Sequence, residues 1–379
     1  MVFTFLPLIF LIWRTVDYWI LYISSKIVPY LGFFPYGHEL FDFGLPQVSS
    51  ALGNFDGIHY LLIANRGYAQ WEQAFFPLYP LLIKFLTPVF DNGLISALII
   101  SNFSFLIAIL LFTKLYNKND NFWVLIFLLV FPTSFFFGAV YTEGLFFLLF
   151  VLTLYFLKKE NYLLVGLFAV LASLTRLIGV FLIIPIVFHL IQKSKVKISA
   201  ILSPLLGLGI YCYYLFKSTG DPFFFLTSQP IFGANRSTHL IFLPQVVWRY
   251  VKIFITASHN YQYFVSVFEF IIFFLVLSVL ILDLFKNLGI KNWKLVRNLK
   301  FEIRNFDRLG LNLFSLANIL LPTLTGTLSS IPRYALFSLS FFLFLSEIKN
   351  RWIKTGAAII FFLLHILILS LFGQGYFVS

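Results

Sequence analysis

The chain has 379 residues, of which 60% are hydrophobic and only 11% charged, against about 25% charged in an ordinary soluble domain. A chain so poor in charge cannot surround a core with a wettable surface, which excludes a water-soluble globular fold. The net charge of +12 does not point to nucleic acid, because Lys and Arg fall in short loops between apolar runs, where phospholipid head groups are their natural partners.

Apolar runs recur from Phe5 to Phe372, many of them near the roughly 20 residues that cross a hydrocarbon layer of about 30 Å as a helix. Helical spans are predicted at about 5–25, 94–114, 121–138, 141–157, 162–175, 177–192, 198–216, 263–285, 310–325, 333–348 and 355–372, about eleven in all. The expected fold class is therefore an all-α polytopic membrane protein, one transmembrane domain over residues 1–379. No positive region precedes the first run, which reads as a retained helix rather than a signal peptide. Arg14 and Asp17 interrupt it three residues apart, on one helical face, as an internal ion pair or as substrate-binding groups.

With the N-terminus in the cytoplasm, the inside loops carry Lys114 and Lys118, Lys158 and Lys159, Lys193 to Lys197, Lys286 to Arg308, and Lys349 to Lys354. Every dense basic cluster then lies inside, as the positive-inside rule demands. Two long segments, about 26–93 and 217–262, are left outside, and Glu39, Asp42, Asp56 and Glu72 collect in the first. Within it, Phe75 to Phe90 is apolar but short, holds three prolines and Lys84, and reads as interfacial. If it spans instead, the downstream orientation inverts.

The first outer segment contains Asn54-Phe55-Asp56-Gly57-Ile58-His59-Tyr60, then Asn65-Arg66-Gly67-Tyr68 and Phe76-Pro77-Leu78-Tyr79-Pro80. A carboxylate, an imidazole, a guanidinium and several phenols pressed against a membrane are costly unless they pair or bind something. Asp56 is placed either as a helix N-cap or as a general base able to take a proton from an attacking hydroxyl. His59, on the same face three residues on, is a structural hydrogen-bonder or a second base. Glu143, Arg176 and Arg333 fall at three further outer turns, where each is a structural ion-pair partner or part of one site with Asp56.

Other chemistries lack their residues. Cys212 is the only cysteine, so no intrachain disulfide can form and a Cys-based metal site is not expected. There is no Gly-rich phosphate loop, no His-Glu-x-x-His and no Asp-x-Asp. No repeat of fixed period supports an inverted-repeat transporter. An Asn-x-Ser triplet at 235–237 is a weak glycosylation signal.

An ordered set of motifs carries a family resemblance. It runs through Asp56-Gly57 with Tyr60, Ile63-Ala64 with Gly67-Tyr68, Phe76-Pro77-Leu78-Tyr79-Pro80, Phe131-Pro132-Thr133-Ser134-Phe135-Phe136, Tyr141-Thr142-Glu143, Thr175-Arg176 with Gly179, and Arg333-Tyr334. The chain resembles the PIG-V-like mannosyltransferases, which add the second mannose of the GPI anchor, and their prokaryotic relatives. One departure is Phe55, where that family usually has Trp.

The resemblance implies the type C glycosyltransferase (GT-C) fold in a bacterial or archaeal plasma membrane. It also implies an extracytoplasmic site, a polyprenyl-phosphate sugar donor, usually of mannose, and an inverting transfer to a glycolipid, glycan or protein acceptor. Asp56 is then the expected base. The expected substrate-binding set is His59, Tyr60, Arg66, Tyr68, Tyr79, Tyr141, Glu143, Arg176, Arg333 and Tyr334, with no metal or cofactor. Arg66, Arg176 and Arg333 are the candidates for gripping the donor phosphate, through paired charge-assisted bonds. The competing expectation is a polytopic transporter or flippase of a lipid-linked sugar.

Overall fold

A backbone segment without access to water must satisfy its N–H and C=O groups internally, which a helix does residue by residue. In the computed structural model, described for residues 2–31, 37–116, 122–232, 236–289 and 305–378, every regular element among the described residues is helical. The α-helices of eight or more residues are α1 Val2–Ile27, α2 Asp56–Arg66, α3 Leu78–Phe90, α4 Gly93–Tyr116, α5 Trp123–Val130, α6 Glu143–Lys158 and α7 Tyr162–Thr175. They continue with α8 Ile183–Gln192, α9 Ile198–Thr219, α10 Leu243–Thr256, α11 Tyr261–Asn287, α12 Phe306–Thr323, α13 Leu339–Ser346 and α14 Arg351–Gly373. Five of these, α1, α4, α9, α11 and α14, are long and apolar enough to cross a membrane. Their outward faces carry exposed Leu11, Phe103, Leu206, Ile271 and Leu363, an apolar surface that calls for lipid rather than water. The protein is therefore an integral membrane protein.

The helices run between two chemically different ends. At one end Lys193 (3.1 Å) and Lys195 pair with Glu160, Lys286 pairs with Glu347 (2.6 Å), Arg308 grips Asp283 (2.9 Å), and the Lys354 ammonium lies over the Trp123 ring (4.9 Å). The start of α14 and the ends of α6, α8, α11 and α13 all meet there. Lys118 and residues 290–304 of the basic loop lie outside the described residues, as does Asn235 of the glycosylation triplet. The opposite end holds the segments between α1 and α4 and between α9 and α11.

Two predicted spans are shorter α-helices than expected, the first because a proline stops it. In the run at 121–138 the α-helix is only α5, which stops before Pro132 and is followed by a 3-10 turn, Ser134–Phe137; the run at 333–348 begins as a single turn, Ile331–Tyr334, passes through a 3-10 turn, Ala335–Phe337, and resumes after Ser338 as α13. The two breaks meet, the Thr133 hydroxyl donating to the Pro332 carbonyl (2.7 Å). Between the two ends the interior is aromatic: Phe105, Phe131, Phe135, Phe137, Phe147 and Phe150 are sealed from solvent.

Arg14 and Asp17 form the internal ion pair (2.7 Å). Asp17 also meets His365 Nε2 (2.8 Å), whose Nδ1 lies 3.2 Å from the Ser134 hydroxyl, so one polar network ties α1, α14 and the 131–137 break together. All four side chains are buried and none lines a described cavity. That placement is structural.

Candidate active site

The site is built where α2 begins. Phe55 takes a positive φ (+58°, ψ −115°), a conformation that a non-glycine residue holds only when its surroundings impose it, at a cost of about 1–3 kcal/mol. Its ring packs against Phe372 and Phe377 (5.7 and 5.3 Å), and the preceding Asn54 donates to the Phe372 carbonyl (2.9 Å). The Tyr141 hydroxyl donates to the Asn54 carbonyl (2.7 Å). This turn delivers Asp56 to the first position inside α2, not to the cap, which is Phe55. The N-cap expectation for Asp56 is thereby corrected: the carboxylate accepts from Arg333, 277 residues away, at 2.7 Å.

Arg333 sits on the turn before α13 and Arg176 at the break after α7. The Arg333 Nε lies 3.3 Å from Glu143 Oε1. Arg176 bonds the same carboxylate and the Thr142 hydroxyl (2.8 Å). Two glycines make the convergence possible. A Cβ on Gly144 would stand 2.4 Å from the Phe137 carbonyl oxygen, and one on Gly179 2.5 Å from the Ser173 amide, so no other residue fits where these backbones cross.

Asp56 and Glu143 are not equivalent. Asp56 lines a cavity of about 280 Å³ together with Tyr60, Arg176, Arg333, Tyr334 and Arg236. Glu143 is fully buried behind the arginines and outside the cavity lining, its Oε2 without a hydrogen-bond partner. Burial alone would raise the Asp56 carboxyl, but the Arg333 guanidinium, aided by Arg236 and His59, outweighs it and holds the group below its ordinary value. Arg333 lies over the Tyr141 ring (5.3 Å) and Arg176 over that of Tyr334 (5.3 Å), contacts that hold guanidinia flat and oriented.

Of the residues expected from sequence, the structure thus gathers Asp56, Tyr60, Arg176, Arg333 and Tyr334 on the cavity wall, with Tyr141 and Glu143 behind it. It does not bring Arg66 there. Arg66 forks onto Glu72 (2.8 and 2.9 Å), which also takes the Ala69 amide (2.8 Å) and sits 3.3 Å from His59 Nδ1. Burial would raise the Glu72 carboxyl, and these bonds hold it below its ordinary value instead. His59 stacks on Phe75 (5.0 Å) and meets Phe232 edge-on (5.1 Å), one layer behind the wall those rings form. Tyr79 is buried against Ser101 (2.7 Å), and Tyr68 lines a separate apolar groove with Lys84 and Tyr211.

Sequence reasoning missed the contribution of the second outer segment: Gln229, Phe232, Arg236 and His239 close the cavity. The available signal was an Arg at 236 in a segment placed outside. Among the described residues no cluster of His, Cys, Asp and Glu suits a metal. No protein-family model, curated protein or solved structure matches the chain.

Proposed function

We propose that the protein transfers a hexose, mannose by the resemblance, from a polyprenyl-phosphate donor to a glycolipid, glycan or protein acceptor on the extracytoplasmic side. The observation that carries this reading is the Asp56–Arg333 pair (2.7 Å) on the wall of a cavity that is part charged and part apolar. A sugar phosphodiester on a lipid needs cations for its phosphate, a carboxylate on the far side of its anomeric carbon and apolar walls for its chain.

In the transfer the acceptor hydroxyl gives its proton to the Asp56 carboxylate as its oxygen bonds to the anomeric carbon. The bond from that carbon to the phosphate oxygen breaks with inversion, and the lipid phosphate leaves with the electron pair, its charge met by arginine. Without donor, Arg333 is occupied by Asp56. An arriving phosphate competes for that guanidinium and frees the carboxylate, which then becomes more basic in the complex than in the free enzyme.

The membrane arrangement belongs to the same proposal. Counting α5, α6, α7, α8, α12 and α13 with the five long helices, and leaving α2, α3 and α10 at the outer end, gives eleven passages, in the manner of a GT-C enzyme of a prokaryotic plasma membrane. The basic end is then cytoplasmic and the Asp56 end outside. Against transport stands the sealed aromatic interior, which separates the Asp56 cavity from the cavity at the basic end lined by Lys158, Asp283 and Arg308.

Replacing Arg176 or Arg333 by Lys keeps the charge and loses the planar fork, so donor affinity should fall in both. Titration with a short-chain polyprenyl-phosphoryl-mannose measures it. Unchanged donor binding with lowered stability would reduce both arginines to structural ion pairs.

A further inference from the structure

The cavity's charges do not cancel. Arg176, Arg236 and Arg333 line it, whereas the carboxylates bonded to these guanidinia are only those of Asp56 and Glu143. Arg333 bridges both acids and Arg176 holds Glu143. Arg236 has no carboxylate partner among the described residues: its guanidinium donates to Gln229 Oε1 (3.0 Å) and the Ser330 hydroxyl (3.3 Å), both neutral. Glu269, a buried acid outside the cavity lining that feels the Arg236 charge, accepts from the Tyr250 hydroxyl (2.7 Å) and makes no hydrogen bond or ion pair with any of the three arginines among the described residues. His239 is at the exposed rim.

Among the groups that line the cavity or bond to its arginines, three guanidinia against two carboxylates leave one positive charge, in a cavity also walled by Leu177, Ile178, Phe225 and Leu321. An uncompensated cation beside apolar walls is unfavourable until an anion joins it. The missing partner carries a single charge and several acceptor oxygens, which describes a phosphodiester; a nucleoside diphosphate sugar carries two charges and would overshoot. We infer that Arg236, from the second outer segment, is the principal phosphate-gripping residue, and that it selects a monoanionic phosphodiester of a lipid-linked sugar.

The inference rests on the transferase reading, and bulk phospholipids offer the same phosphodiester, so the test separates three cases. Wild type, Arg236→Gln and Arg236→Lys, each in phosphatidylcholine nanodiscs, are titrated with farnesyl-phosphoryl-mannose, with and without phosphatidylglycerol, and their thermal unfolding is followed in parallel. Loss of a charge-assisted bond should weaken probe binding by about tenfold to a hundredfold in Arg236→Gln. Arg236→Lys should recover part of it, unfolding midpoints should stay together, and phosphatidylglycerol should not displace the probe.

Wild-type affinity in Arg236→Gln would overturn the role of Arg236 and leave the transferase reading standing. So would a loss that tracks a lowered unfolding midpoint and is not recovered by Lys, because that is a structural effect. Displacement by phosphatidylglycerol would overturn the selectivity for a lipid-linked sugar. A wild-type protein that does not bind the probe at all would overturn the transferase reading and this inference together.

Discussion

Asp56 and Glu143 are both acids at outer turns of the chain, and the fold gives them different places. Asp56 reaches the cavity, while Glu143 is a buried anchor for two arginines. Glu143→Gln should therefore act mainly through the positions of Arg176 and Arg333, lowering donor affinity and stability together, rather than by removing a base. The depressed Asp56 carboxyl sets a pH dependence. A carboxyl with a lowered folded-state pKa contributes stability that is full above its unfolded value of about 3.9 and is lost as pH falls through the folded value. The acid limb of kcat/KM, which reports the free enzyme, should lie below the ordinary carboxylate range, and that of kcat, which reports the complex, should lie higher. In Arg333→Gln the kcat/KM limb should move up, towards or above the ordinary range; a limb that stays in place would show that Arg333 does not govern the base. The same variant leaves the partly exposed Asp56 carboxylate without its partner, while Glu143 keeps Arg176, and should lose about 1–3 kcal/mol of stability, measurable by denaturant unfolding.

At the scale of elements, much was legible. Long apolar runs with basic ends read directly as helices, because lipid leaves the backbone no alternative, and α4, α9, α11 and α14 lie within a few residues of the expected limits. The break before Pro132 was read through, because apolar composition continues across it and only the loss of the helical hydrogen bond marks it. A shared site for Asp56 and Arg333 was legible from their common side, but their direct pairing was not, since it depends on how the ends of distant helices are brought together. Nor could the diversion of Arg66 to Glu72, a local clamp that competes for a residue chosen only for its charge. Glycine tests how these breaks aim the site. At Gly179 a Cβ would strike backbone atoms of Ala172 and Ser173 within 2.6 Å, whereas at Gly166 it would meet the Ser203 Cβ at an ordinary 3.6 Å. Gly179→Ala should cost about 1–3 kcal/mol and weaken donor binding by displacing Arg176. Gly166→Ala should be neutral or stabilising, by up to about 1 kcal/mol. Equal effects of the two in thermal unfolding and donor titration would remove the argument.

Taken whole, the molecule separates its charge by end, with basic clusters paired to a few acids at one and the arginine–carboxylate site at the other. In sealed cells, with Cys212→Ser as background, a cysteine at Ser258 should react with an impermeant reagent from outside and one at Lys300 should not. Labelling of the Lys300 position from outside would invert the orientation. The central claim is that this one-ended site performs sugar transfer with Asp56 as the base. Its most direct test is the rate of mannose transfer from a polyprenyl-phosphate donor by purified Asp56→Asn, with donor binding measured on the same protein. The expected result is a rate about a hundredfold to ten-thousandfold below wild type with donor binding nearly preserved. Transfer by Asp56→Asn at the wild-type rate would contradict it.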